Sequence, residues 1–389
     1  MILQNTNLSK ICSIICLIIL LIGCATVSTN SEYIEINKAN VEIKKGFSFS
    51  EIADSTVYVA LETKPDCLIG NVEDLQCVDN RLFLLNKIGD YEEVLVFNNE
   101  GVFLNKIGQR GQGPGEYLSV SAIGINKYEK YLVLIDPLKK QIHKYDYNGK
   151  YISSLPAQNE CAYIRSVRYV SRTRIRYVSL INPSTPTLIA ESDENLGNMK
   201  TLWKTGYRFN GGFKFADTPI STNGDYFILP LTYSIYNYSD GELTPAIKLD
   251  IQNKVTPDEE IEKDDNFRDI YIGAIKKGFM PINSIVSYGN YLLICQLNGN
   301  SVLWNLKTCS GKYFDYVSLT PMSDEIRSSG ISKIVGFANG FIALLPADQL
   351  LSVKSQYEKL NSESNVKLKK IPQNVDVEDN PIVCFYYLP

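Results

Sequence analysis

The chain has 389 residues, 44% hydrophobic and 21% charged, a balance that supports a large buried core and excludes disorder over most of its length. A formal net charge of -4 excludes a global basic field, and with it nucleic acid as a partner. A single histidine, His143, rules out a multi-histidine zinc site; no metal or cofactor motif is present, and acid–base work would have one imidazole available.

Residues 1–23 are expected to be a signal peptide. Lys10 provides a weak basic start, residues 11–22 form an apolar run too short for a membrane span of roughly 20 residues, and small residues close it. The end of that run, Leu21-Ile22-Gly23-Cys24, resembles a bacterial lipobox, which implies cleavage before Cys24 and lipid on its thiol. Loss of Lys10 then takes the net charge from -4 to -5, so the membrane partner is reached through lipid and not through charge. Residues 24–50 are expected to be a tether and lead-in, and residues 51–389 the folded domain. Of nine cysteines, six remain outside the leader and the anchor, scattered and without a CxxC pair. Cys295 and Cys384 sit in apolar runs and are expected to be core filler, while Cys67 and Cys77 are the one pair close enough to consider for a bridge.

Internal repetition carries the fold. Residues 81–86, an apolar strand ending in Asn86, are followed by a strand into Asn98-Asn99-Glu100-Gly101 and then a third strand. The same frame recurs about 48 residues later in residues 131–136 and in Asp146-Tyr147-Asn148-Gly149. Asn, Asp and Gly there supply the positive φ of tight hairpin turns, so each copy reads as an antiparallel meander. Weaker copies begin near Asp225, Tyr291 and Gly340, and the Arg-rich stretch of residues 174–191 is strand-like but lacks the turn. Six such units predict an all-β, six-bladed propeller of four-stranded antiparallel blades. Val57, Val59 and Leu61 alternate with Tyr58, Ala60 and Glu62 outside the repeat frame, and this strand is expected to complete the C-terminal blade and close the ring. A helical insertion is expected at about 256–278, with Thr256 as cap, Pro257 at the first position and Gly278 as stop. Residues 350–370 form a second, charged insertion.

The run Gly111-Gln112-Gly113-Pro114-Gly115-Glu116-Tyr117, with Ile123-Gly124-Ile125 and the Asp146–Gly149 turn after it, resembles an NHL-type repeat. Together with Leu61-Glu62-Thr63, Leu68-Ile69-Gly70 and Asp379-Asn380-Pro381, it is more closely similar to the six-bladed β-propeller lipoproteins of Bacteroidetes. The resemblance covers residues 55–388 and implies a secreted or outer-membrane-anchored protein. Surface-exported members often carry acids directly after the lipidated cysteine. None follows Cys24 closely, which favours the periplasmic face.

The glycine run fits neither a P-loop nor a dinucleotide fingerprint and reads as an inter-blade crossing where backbones approach closely. Arg110, Glu116 and Tyr117 flank it, as candidates for a ligand face or as anchors of the loop. Arg172, Arg174 and Arg176, expected on one strand face among tyrosines, suit a carboxylated sugar or another anion. A solvated face balanced by acids on the next strand accounts for the same three residues. The expected function is therefore a lipid-anchored envelope propeller that binds a glycan or an envelope protein at one ring face, with no catalytic constellation evident. A polysaccharide hydrolase or lyase acting in the channel is the alternative, and a scaffold without small ligand a third.

Overall fold

The computed structural model describes residues 33–180, 187–205, 213–239, 241–251, 266–318, 333–351 and 375–389. The expected leader with Cys24, the Thr256 cap and most of the second insertion lie outside the described residues.

Six sheets form a six-bladed β-propeller. The first blade is β4 (Asn71–Val78), β5 (Arg81–Ile88), β6 (Tyr91–Asn98) and β7 (Phe103–Lys106), and the second is β8 (Ala122–Asn126), β9 (Tyr131–Asp136), β10 (Gln141–Asp146) and β11 (Tyr151–Pro156). The third is β12 (Ile164–Tyr169), β13 (Arg174–Ser179), β14 (Thr187–Asp193) and β15 (Lys200–Lys204). The fourth holds β16 (Tyr226–Ile228), β17 (Ser234–Ser239) and β18 (Glu242–Asp250), and the fifth β19 (Ile282–Tyr288), β20 (Tyr291–Gln296), β21 (Ser301–Asn305) and β22 (Ser310–Ser318). The sixth contains β23 (Lys333–Phe337), β24 (Gly340–Leu345) and β25 (Ile382–Tyr387).

Turn chemistry explains the repeat. Oδ1 of Asn98 accepts the N–H groups of Glu100 (3.0 Å) and Val102 (2.9 Å), and Oδ1 of Asp146 accepts those of Asn148 and Lys150 (both 2.9 Å). Gly101 and Gly149 close these turns at φ +85° and +83°, a region L side chains rarely occupy. The third unit proves to be a regular blade with the same device at the same length, Asp193 standing where Asn98 and Asp146 do. Oδ1 of Asp193 accepts the N–H of Gly197 at 2.5 Å, and the intervening Leu196 takes φ +62°. Leu196 stands where Gly101 and Gly149 do, its N–H on the carbonyl of Asp193, and a leucine in the glycine position is what hides the Asn/Asp-x-x-Gly pattern.

The N-terminal segment contributes three outer strands. β3 (Ser55–Ala60) pairs antiparallel with β25, Val59 opposite Val383 and Val57 opposite Phe385, and so closes the ring as its alternation predicts. Two further strands, β1 (Ile34–Asn37) and β2 (Val41–Ser48), lie outside the repeat pattern. They run parallel to β18 and β22, supplying the fourth strand of blade four and a fifth for blade five. Their pairing covers edges that would otherwise present unpaired backbone groups.

The core lies between blades. One cluster joins Phe83, Leu85 and Val94 to Ile123, Leu132 and Tyr145, and another joins Leu82, Leu84 and Phe97 to Ile342, Val383 and Phe385 across the closure. Each blade is thus buried on both faces, which is why the inner strands read as continuous apolar runs and not as alternation. The helix α1 (Phe267–Lys276) buries Phe267, Tyr271 and Ala274 as its spacing predicts, is capped by Asn266, and ends before Gly278 at φ +103°.

Candidate functional site

Inner strands of a propeller surround its axis, so polar residues on them meet in the channel. Bulges at Val72/Asp74 and at Ile164/Ser166 interrupt the regular register of β4 and β12, a device that re-aims side chains. Asp74 and Arg168, 3% and 6% exposed, form a bidentate pair with NH1–Oδ2 3.0 Å and NH2–Oδ1 3.1 Å. Nε2 of Gln76 donates to Oδ2 of Asp74 (2.9 Å) and to the carbonyl of Ile123 (3.0 Å), which ties three blades together. Lys333 on β23 enters from the sixth blade and donates to the carbonyl of Glu73 at 2.7 Å. Burial works against ionisation of Asp74, but the charges of Arg168 and Lys333 outweigh it and hold the carboxyl below its usual range. Burial pushes the Lys333 ammonium down, with Asp74 opposing.

This network divides two cavities. The larger, about 790 Å³, opens where the inner strands end and is lined by Tyr128, Tyr169, Tyr288 and Phe337, with Arg176 and Asn223. Tyr128 is 40% exposed at its mouth. Cys77 stands in its wall, its thiol pushed up to about 12 by burial and therefore protonated. The smaller cavity, about 160 Å³, opens where the inner strands begin and is lined by charged groups that include Glu73, Glu92, Lys87, Arg165, Lys214 and Asp217.

The glycine run joins β7 to β8 and is an inter-blade crossing. Glu116 folds back onto it, accepting the N–H of Gly113 at 2.7 Å and the side chain of Gln109 at 2.5 Å, and the Gly113 bond leads in holding its carboxyl below the usual range. Tyr117 is buried against blade two, Arg110 is exposed, and none of the three lines either cavity. Arg172 is not on the strand with Arg174 and Arg176 but in the preceding turn, where it pairs with Glu129 at 2.5 Å. The reason is the β12–β13 hairpin, closed by Val170 and Ser171 N–H groups on the carbonyl of Arg174. Arg174 and Arg176 share Glu191 on β14 at 3.4 and 2.9 Å, and Arg176 also holds Asp225 at 2.8 Å and covers the Tyr238 ring. Only Arg176 of the six borders a cavity.

His143, 1% exposed on β10, has Nδ1 2.7 Å from Oγ of Ser154 and Nε2 3.5 Å from Oδ2 of Asp136, an electrostatic contact longer than a hydrogen bond. The residue types match a Ser-His-Asp line. The line ends on Tyr151, whose hydroxyl bonds Ser154 at 2.9 Å, and not on a cavity. Asp136 accepts N–H groups from Leu118, Leu138 and Lys139, so the arrangement clamps the glycine crossing to blade two. Cys67 and Cys77 are both free thiols. Among the described residues no group of three His, Cys, Asp or Glu side chains converges as a metal site.

The channel network is absent from the motifs of the sequence. Its signal is an acid and an amide two residues apart, Asp74 and Gln76, inside a strand that is otherwise apolar on the side facing its neighbours.

Solved structures share this fold. A Bacteroides fragilis NCTC 9343 protein with the provisional description of an exported protein aligns with TM-score 0.59 and 15% identity, over 90% of this chain and 100% of its own. A member of the DUF4221 family from Bacteroides vulgatus ATCC 8482 aligns with TM-score 0.53 and 11% identity, over 86% of this chain and 96% of its own. At such identities the likeness concerns the fold alone. A comparison with curated proteins yields no match. Residues 31–387, which take in all six blades and the three N-terminal strands, match DUF4934, a domain of unknown function, and the chain belongs to that family.

Proposed function

We propose that the protein is a cell-envelope propeller, held to the membrane by lipid on Cys24, that binds a glycan in the larger channel basin without chemical turnover. The observation that carries this reading is a blind basin of about 790 Å³ whose wall combines four aromatic rings with amide and guanidinium groups. Rings offer flat apolar faces for sugar C–H surfaces, and sparse polar groups fix orientation. The two carboxylates in the basin's wall are both already engaged, Asp225 by Arg176 and by Nδ2 of Asn223 at 2.9 Å and Asp79 by Lys130, an arrangement suited to holding and not to proton transfer. The leader with its lipobox-like end supports export and anchoring, and the provisional description of the Bacteroides fragilis neighbour agrees with it. A periplasm-facing outer-membrane location follows from the lack of acids after Cys24.

Titration with a panel of envelope and dietary oligosaccharides should give saturable binding and unchanged ligand on product analysis. Tyr128→Ala should weaken it about tenfold, the loss of one exposed aromatic platform. New reducing ends or unsaturated products would instead establish the hydrolase or lyase reading, and no saturable binding would end the glycan reading. For the anchor, Cys24→Ala should move the protein from membrane to soluble fractions; retention in membranes would overturn lipidation.

A further inference from the structure

The smaller cavity differs from the basin in size and in chemistry. Its guanidinium, Arg165, donates through NH1 to the carbonyls of Ala162 (3.3 Å) and Ile164 (3.0 Å), both beside it in the chain. Arg165 lines the cavity, and among the described residues it has no carboxylate within ion-pair distance and no hydrogen-bond partner for its Nε and NH2. Two N–H groups side by side on a planar fork match the two oxygens of a carboxylate.

Glu73 and Glu92 stand near enough to act on the Arg165 charge while remaining out of contact with it. Their own hydrogen bonds come from neutral groups: Nδ2 of Asn71 to Glu73 at 2.6 Å and Oγ of Ser119 to Glu92 at 3.2 Å. Lys214 and Asp217, by contrast, satisfy each other at 2.9 Å, and Asp217 also accepts from Asn283. Lys87 on the same wall likewise has no carboxylate within ion-pair distance among the described residues, so the cavity offers two unanswered cations, Arg165 and Lys87, beside two acids that no basic side chain there neutralises by contact. A guest that carries both charges satisfies this set, whereas a simple anion would face the two glutamates and a simple cation would face Arg165.

Size narrows the guest further. At about 160 Å³ against about 790 Å³ for the basin, the cavity suits a small amino acid and not an oligosaccharide. We infer that the smaller mouth of the channel binds a small zwitterionic α-amino acid, its carboxylate on Arg165 and its ammonium between Glu73 and Glu92. The site is separate from the basin, because Asp74, Gln76 and Arg168 lie between them, and it stands whether or not the basin takes glycans.

The full chain in detergent, titrated calorimetrically with glycine, L-alanine and L-serine, should bind at least one of them saturably. Propionate and ethylamine, each bearing one of the two charges, should bind at least about tenfold more weakly. Arg165→Lys, which keeps the charge and removes the fork, should weaken the amino acid about tenfold, and Glu92→Gln should do the same. Should Arg165→Lys fail to fold, Ser119→Trp, placed on the wall from a loop, should abolish binding by filling the cavity. Tyr128→Ala should leave amino-acid binding unchanged, which separates this site from the basin. Absence of saturation with all three amino acids overturns the inference. Propionate binding as tightly as L-alanine, or a folded Arg165→Lys with unchanged affinity, does so too.

Discussion

A chain that begins at Leu61 is expected to emerge aggregated, not as a soluble monomer. Without β3, β25 loses its outer antiparallel partner along six residues and leaves an open edge flanked by apolar surface. The same cut removes Phe47 and Phe49, both fully buried, whose rings pack on Phe314, Phe341 and Tyr386. Size-exclusion chromatography tests this directly, and appending residues 55–60 after Pro389 in the shortened chain should recover part of the monomer. A gentler probe is Tyr58→Ala. Tyr58 is 4% exposed on the closing strand, and its loss should cost about 3–5 kcal/mol in urea unfolding. A shortened chain that is monomeric, with unchanged melting, would show that closure is not carried by these strands.

Arg168→Met is expected to destabilise the fold by about 3–5 kcal/mol, because it strands the buried Asp74 carboxylate without its bidentate partner. The double variant Asp74→Leu with Arg168→Met should recover most of that loss, since apolar replacements remove the desolvation penalty of both charges together. The pH dependence has a definite sign. The folded Asp74 carboxyl lies below its usual value of about 4, so its contribution is fully present above that pH and is lost as pH falls through the lower folded value. In Arg168→Met the unpaired carboxyl is instead pushed up, and the deficit relative to the parent should narrow as pH is lowered from 7 towards 4. A deficit that stays constant over that range, or a double variant no better than the single one, would show that the pair does not set the stability of the channel.

Particular residues show how far the chain order carries. The hairpin turns at Asn98 and Asp146 are readable because their side-chain and glycine requirements are local, satisfied within five residues. The third blade is obscured because Leu196 fills the glycine position of the Asp193 turn. The strands β1 and β2 escape the repeat pattern because their partners, β18 and β22, lie more than two hundred residues away, and nothing local marks a parallel outer strand. The arginines of the third unit read as a possible anion face, yet Glu191, Asp225 and Glu129 answer Arg174, Arg176 and Arg172 across strands and blades. Arg165 and Arg168, in the same cluster and three residues apart, end at opposite sides of the channel network, one opening to a cavity and the other sealed in a salt bridge.

The meander turns, the six repeating sheets and the strand that closes them are legible in the chain order, since each depends on local backbone preference or on period-two patterning. What the ring encloses is set by how the blades meet. Asp74, Arg168 and Lys333 come from the first, third and sixth blades and share one channel solely because closure brings the inner strands around a common axis. Whether an acid or a base there is spent on a neighbour or left open for a ligand depends on distances that no stretch of chain specifies. One mouth of the channel is thereby an aromatic basin and the other a small pocket lined by both acids and bases.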